Sequence, residues 1–156
     1  MYIFDESLWP LVLIQRVDST TDEEMERILQ TLTRLINRRE PYIQVVDFTR
    51  SRPLTHSQRM MLAAQQEQTA DVAHEYCKGF YVVINSPTAR LARAVTSFVR
   101  PSTENPDEVS SLAEALEKAA LKFEQAALPK GAQVARTELR RLKASQVHGG
   151  AGPAHG

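Results

Sequence analysis

The sequence predicts an α/β domain, and three observations carry that expectation. First, the apolar run Tyr42 to Phe48 passes through a polar loop containing Pro53 into a helix that opens at Thr55. Second, the apolar run Gly79 to Asn85 leads through Ser86-Pro87 into another helix. Third, between the first strands and Pro41 lies a segment whose apolar residues recur at three- and four-residue steps, the period of an amphipathic helix. The stretch Tyr42 to Met61 organises the rest. In open α/β sheets, sites gather beyond the carboxyl ends of strands, where helix N-termini present unpaired N–H groups.

Composition narrows the class. A chain of 156 residues fits one domain plus a tail. The 19 basic and 19 acidic residues cancel, which argues against a nucleic-acid binder held by phosphate neutralisation. Cys77 is the single cysteine, so no intramolecular disulfide can form, and a reducing compartment is consistent with that. The first residues, MYIFDESLWP, lack a basic leader, and no run approaches the roughly 18–20 apolar residues of a membrane span. A cytoplasmic protein is expected, with neither nucleic acid nor membrane as partner.

Taken in order, Tyr2 to Phe4 and Leu11 to Val17 read as strands of a short antiparallel hairpin, with Asp5-Glu6-Ser7 as turn chemistry and Trp9-Pro10 at its mouth. The first helix starts near Thr20 or Thr21, each followed three residues later by Glu23 or Glu24, the pattern of a capping box. Its buried face should be Met25, Ile28, Leu29, Leu32, Leu35 and Ile36. Pro41 ends it, and the strand Tyr42 to Phe48 follows, with Asp47 near its close. The second helix, about Thr55 to Glu75, opens on a Thr55/Gln58 capping box but has a thin apolar stripe. Met60 to Ala64 crowd its start and Gln65 to Thr69 dilute it, so only a turn or two should pack firmly. After the strand Gly79 to Asn85, the helix entered through Ser86-Pro87 should bury Leu91, Val95 and Phe98 and end at Pro101. A short strand, Pro106 to Val109, precedes a helix capped by Ser111 and Glu114 and striped by Leu112, Ala115, Leu116, Ala119 and Phe123.

Leu128-Pro129-Lys130-Gly131 breaks the helical pattern and divides the chain into a domain, 1–128, and a tail, 129–156. Beyond Ala127 stand Lys130, Arg136, Arg140, Arg141 and Lys143 against Glu138 alone, so the tail is basic and the body acidic. Its last residues, VHGGAGPAHG, are too poor in large apolar groups to order themselves. The tail is expected to be a flexible, disordered extension or a short docked helix over Val134 to Ala144.

Few residues suggest chemistry. Asp47, His56 and Ser57 are the nearest approach to an orienter, base and nucleophile, yet adjacent helical residues point about 100° apart and no Gly-x-Ser-x-Gly elbow surrounds the serine. Cys77 reads as a small hydrophobe. No histidine pair has metal-ligand spacing, and no glycine-rich loop is present to cradle phosphate. No catalytic residue, cofactor or metal is expected. Arg90, Arg93 and Arg100 lie along one helical face, a charge pattern that suits either solvent or a carboxylate- or phosphate-bearing partner.

Trp9-Pro10, Val45-Val46-Asp47, Cys77-Lys78-Gly79 before a strand, Ser86-Pro87 with Arg90, and Glu114-Ala115-Leu116 together resemble the STAS-like, or SpoIIAA-like, proteins of bacteria over about residues 1 to 125. The resemblance implies a four- to five-stranded mixed sheet with helices mainly on one face. It also implies a non-enzymatic regulatory role through binding a protein, with a homodimer as one form the chain could take. In the anti-sigma-factor antagonists of that family, an Asp-Ser-Ser-Gly-like motif opens the second helix, and a serine in it is phosphorylated by the partner kinase. Ser57, ten residues beyond Asp47, falls on that position, although the local sequence is Thr55-His56-Ser57-Gln58, without the acid or the glycine. The candidate partner or phospho-switch residues are therefore Asp47, Thr55, His56, Ser57, Arg90 and Arg93. The rival expectation is a carrier of an apolar or nucleotide ligand, with a pocket lined by Met61, Phe80, Val82 and Phe98.

Overall fold

In the computed structural model, residues 1–87, 90 and 106–151 are described. Five strands form one mixed sheet in the order β1-β2-β3-β4-β5: Tyr2–Phe4, Leu11–Asp18, Tyr42–Ser51, Cys77–Val83 and Asp107–Val109. The first pair is antiparallel, as the hairpin reading requires, and every later pair is parallel. A 3-10 turn, Glu6–Leu8, and a cis Trp9-Pro10 peptide connect β1 to β2. Trp9 stacks on Tyr42 at 5.6 Å and donates its indole N–H to Glu40.

Side chains alternate across β2, so Val12 and Ile14 enter one apolar cluster while Leu11 and Leu13 enter another on the opposite face. The helices α1, Asp22–Ile36, and α2, His56–Tyr76, cover the first face. The helices α3, Leu112–Gln125, and α4, Pro129–Ala151, belong to the second. The mixed five-stranded α/β sheet is the fold class the sequence predicts, and its helices are divided between the two faces. That division explains why β4 reads as apolar throughout: both of its surfaces are covered.

Thr21 caps α1 by accepting from the Glu24 N–H, and Met25, Ile28, Leu29, Leu32, Leu35 and Ile36 are buried, the face that periodicity predicts. At the start of α3, the Ser111 hydroxyl accepts from the Glu114 N–H, while the Glu114 carboxylate reaches one residue further back to the N–H and hydroxyl of Ser110. Those two hydrogen bonds hold the Glu114 carboxyl below its ordinary range. The helix expected from Ser86 to Arg100 falls largely outside the described residues, and with it Leu91, Arg93, Val95, Phe98, Arg100 and Pro101. Pro87 and Arg90 are helical, and the Arg90 N–H donates to the Ser86 carbonyl.

The segment from 129 onward extends the second face. A 23-residue helix begins at Pro129, and its first half packs on the second apolar cluster. Ala127 turns the chain with φ 59°, and the Leu128 N–H closes back onto the Phe123 carbonyl. Ala132 and Ala135 are buried against α3, while Leu128, Val134, Leu139 and Leu142 pack on the same cluster. Gly131 allows that approach: a Cβ there would lie 2.4 Å from the Phe123 ring.

Candidate functional site

The parallel strands β2, β3 and β4 all point their carboxyl ends at one edge of the sheet, where Thr21 caps α1, Thr55 caps α2 and Ser86-Pro87 opens the next helix. Thr55, His56, Ser57 and Arg90 therefore share that edge, because each follows the end of β3 or β4. Arg93 lies outside the described residues.

The entrance of α2 is tightly fastened. Thr55 Oγ1 accepts from the Gln58 N–H at 3.1 Å, and the Gln58 carbonyl oxygen accepts from the Thr55 N–H at 3.2 Å, a complete capping box. The other end of the Gln58 amide donates to the Thr20 carbonyl at 2.6 Å and to Asp22 at 3.0 Å, tying the start of α2 to the start of α1. Arg59 donates to the Leu54 carbonyl at 2.9 Å. On this fixed turn, Thr55, His56 and Ser57 are exposed, and Met60, one turn along, is 51% exposed. The His56 ring nitrogen Nδ1 lies 3.4 Å from Arg59, not on the Ser57 hydroxyl.

Asp47 does not join this group. The strand β3 continues past it to Ser51, beyond the Phe48 at which the sequence reading ends the strand. Between the pairs Gln15↔Asp47 and Val17↔Arg50, β3 carries one residue more than β2, a bulge. Asp47 Oδ1 accepts from the Thr49 N–H at 2.9 Å and from the Thr49 hydroxyl at 2.6 Å, taking up the backbone donor that the bulge frees. Its carboxylate is thus engaged at the bulge. Arg90, 66% exposed at its side chain, pairs with Glu108 of β5 at 3.3 Å.

The bulge also reveals a residue that the sequence reading missed. Arg16 is skipped in the pairing of β2 with β3, and it is 4% exposed, with its guanidinium 5.8 Å from the Tyr2 ring centre and 5.6 Å from that of Phe48. Nη2 donates to the Arg52 carbonyl at 3.0 Å. Burial lowers the Arg16 pKa and raises that of Tyr2, whose phenol donates toward Met25 Sδ at 3.2 Å.

The lining expected for an apolar carrier pocket is packed instead. Val82 is fully buried in the first cluster with Met61 and Phe80 against it, and Phe98 lies outside the described residues. A recess of about 510 Å³ lies elsewhere, between β1 and α1, lined by Tyr2, Phe4, Asp5, Glu6, Glu24 and Arg27 among others. Among the described residues, no group of three His, Cys, Asp or Glu side chains could hold a metal ion, and no helix is long and apolar enough to cross a membrane. Cys77 is partly buried against the first cluster.

No family model matches the sequence, and no curated protein matches it. Among solved structures, the chain is similar to the anti-sigma factor antagonist SpoIIAA in its unphosphorylated form, with a TM-score of 0.52 and 13% sequence identity. The match covers 76% of this chain and 96% of that one. At that identity the likeness speaks for the fold: the chain has the mixed-sheet α/β architecture of SpoIIAA.

Proposed function

We propose that this chain is a non-enzymatic regulatory module that binds a protein through the surface from Leu54 to Met61, with Ser57 as its phospho-switch. The observation that carries this reading is the contrast at the start of α2. Its backbone is held by Thr55, Gln58 and Arg59, while Thr55, His56, Ser57 and the apolar Met60 face solvent on it. A rigid turn that displays an apolar side chain beside polar ones suits recognition, because little conformational freedom is lost on binding. The fold supports the same reading, since the similar solved structure is an anti-sigma factor antagonist described in its unphosphorylated form.

Ser57 is the second residue of α2, within the turn where the helix dipole favours negative charge. A phosphate there would add close to two negative charges without unfolding the turn, and would repel an acidic or apolar partner surface. Arg90, on the same edge, offers the partner a forked cation.

The test is a pull-down from the native cell extract with the wild-type chain, Ser57→Asp and Met60→Glu. The expected outcome is a specific protein retained by the wild type and bound at least about tenfold more weakly by both variants, or about 1.4 kcal/mol. Equal recovery by all three chains, or no specific protein with any of them, would remove the α2 surface as the binding site.

A further inference from the structure

Among the described residues, the interior holds one positive charge that no carboxylate faces. Arg16 Nε and Nη1 and the buried Thr20 hydroxyl lack a partner of good hydrogen-bond geometry, and the polar group that stands close to both is the Tyr2 phenol. The nearby acids are engaged elsewhere or turned away. Asp22 accepts from Gln58, and Glu24 lies 3.3 Å from the amino terminus. Asp47 binds Thr49 and, by strand alternation, shares the face of Val45, opposite the one that Phe48 and Arg16 occupy. Asp18 is exposed at the end of β2.

Water can satisfy an N–H group, but it cannot neutralise a buried guanidinium, and removing an ion from water is costly without a counter-charge. The surroundings add to the positive potential. The N-termini of α1 and α2 meet here, joined by the Gln58 bond to the Thr20 carbonyl, and both helix dipoles place their positive ends at this edge. The Tyr2 phenol stays neutral, because burial raises its pKa.

We propose that Arg16 and the Thr20 hydroxyl form an internal site for a small oxyanion of the phosphate, sulfate or carboxylate class, beneath the 52–55 loop and between the N-termini of α1 and α2. The route in is that loop. Its Arg52 carbonyl is the acceptor that covers the guanidinium, while the Arg52 and Pro53 side chains are exposed. The site is separate from the partner surface of α2, which uses the solvent-facing side of that helix.

The test is thermal melting of the full chain in sodium phosphate, against sodium chloride at matched ionic strength and near-neutral pH, for the wild type and Arg16→Met. Sodium acetate in parallel distinguishes a carboxylate site from one for tetrahedral anions. For the wild type, a saturable rise of roughly 5–10 °C is expected with anion at a hundredfold excess over its midpoint. Arg16→Met should show no rise beyond chloride and should melt no lower than the wild type in the absence of anion. The Arg16 Nε–H NMR resonance gives a second reading that needs no variant, and it should shift saturably with the same midpoint. An anion response of equal size in Arg16→Met, or a resonance that stays fixed during the titration, would overturn the site and leave the guanidinium held by two rings and one carbonyl.

Discussion

Tyr2 connects the edge strand β1 to the buried end of β2, and its ionisation gives the fold an alkaline limit. Burial raises its pKa above the ordinary 10.0, outweighing the opposing pull of the Arg16 guanidinium. The folded chain therefore holds the phenolic proton more tightly than the unfolded one does. This contribution to stability is fully present below pH 10.0 and is lost as pH rises through the raised folded value. Tyr81 is shifted in the same direction, also chiefly by burial, and adds a second loss of the same sign. Tyr2→Phe should consequently show a shallower fall of urea midpoint above pH 10.0 than the wild type, while the loss that Tyr81 contributes remains. An unchanged alkaline slope in Tyr2→Phe would show that the phenol is not held in the neutral form by burial.

Of the helices, α1 and α2 show how far periodicity carries and where it fails. The six apolar residues that the three- and four-residue spacing selects in α1 are the buried ones, because that face of the helix packs into the first apolar cluster. In α2 the buried residues are Gln58, Gln65 and Thr69, spaced by seven and four, while Met60 faces solvent and Met61 and Leu62 are only partly buried. Across that seam Gln58 reaches Asp22 at 3.0 Å and Gln65 reaches Thr33 at 3.5 Å, while the Thr69 hydroxyl is satisfied within α2 by the Gln65 carbonyl at 2.9 Å. Hydropathy cannot register such a face, although the Thr55/Gln58 box at its start is legible as a motif. The candidate surface at Thr55, His56 and Ser57 was legible for that reason, whereas Arg16, a single charge within LVLIQRV, looks like any solvent-facing strand residue. Gln58→Ala removes an acceptor from the Thr55 N–H and a donor from the Thr20 carbonyl, leaving two backbone groups unpartnered. A loss of about 1–3 kcal/mol is expected, read as a lower urea midpoint at unchanged m-value. A midpoint equal to the wild type's would show that the tie between α1 and α2 carries no net stability.

The whole chain closes its second sheet face with α3 and α4 together, and this sets the consequence of removing the C-terminal segment. The sequence places a division at 128 because Pro129 and Gly131 interrupt a helical pattern and the following residues are mostly small or charged. Small residues are how this pair approaches. Ala115, Ala119, Ala132 and Ala135 are 0–2% exposed, and Gly131 sits against the Phe123 ring, so the contact is tight while contributing little to hydropathy. The charges reinforce it at the rim: Arg136 pairs with Glu124 across the two helices, and Lys143 approaches Glu117 at 3.7 Å, each exposed enough to add only a few tenths of a kcal/mol. Truncation after Leu128 would uncover Phe123, now 0% exposed, together with the alanine face of α3, and would remove the contacts of Val134, Leu139 and Leu142. Uncovering one large aromatic side chain alone forfeits about 1.5–3 kcal/mol. A melting temperature lower by at least about 5 °C is therefore expected for the chain ending at Leu128, since each kcal/mol shifts a domain of this length by roughly 2–4 °C. Ending the chain after Ala144 should cost far less, because residues 144–147 are exposed and make no part of the apolar cluster. If the chain cut at Leu128 melts at the wild-type temperature, α4 is an appendage, and residues 1–128 are sufficient for the fold.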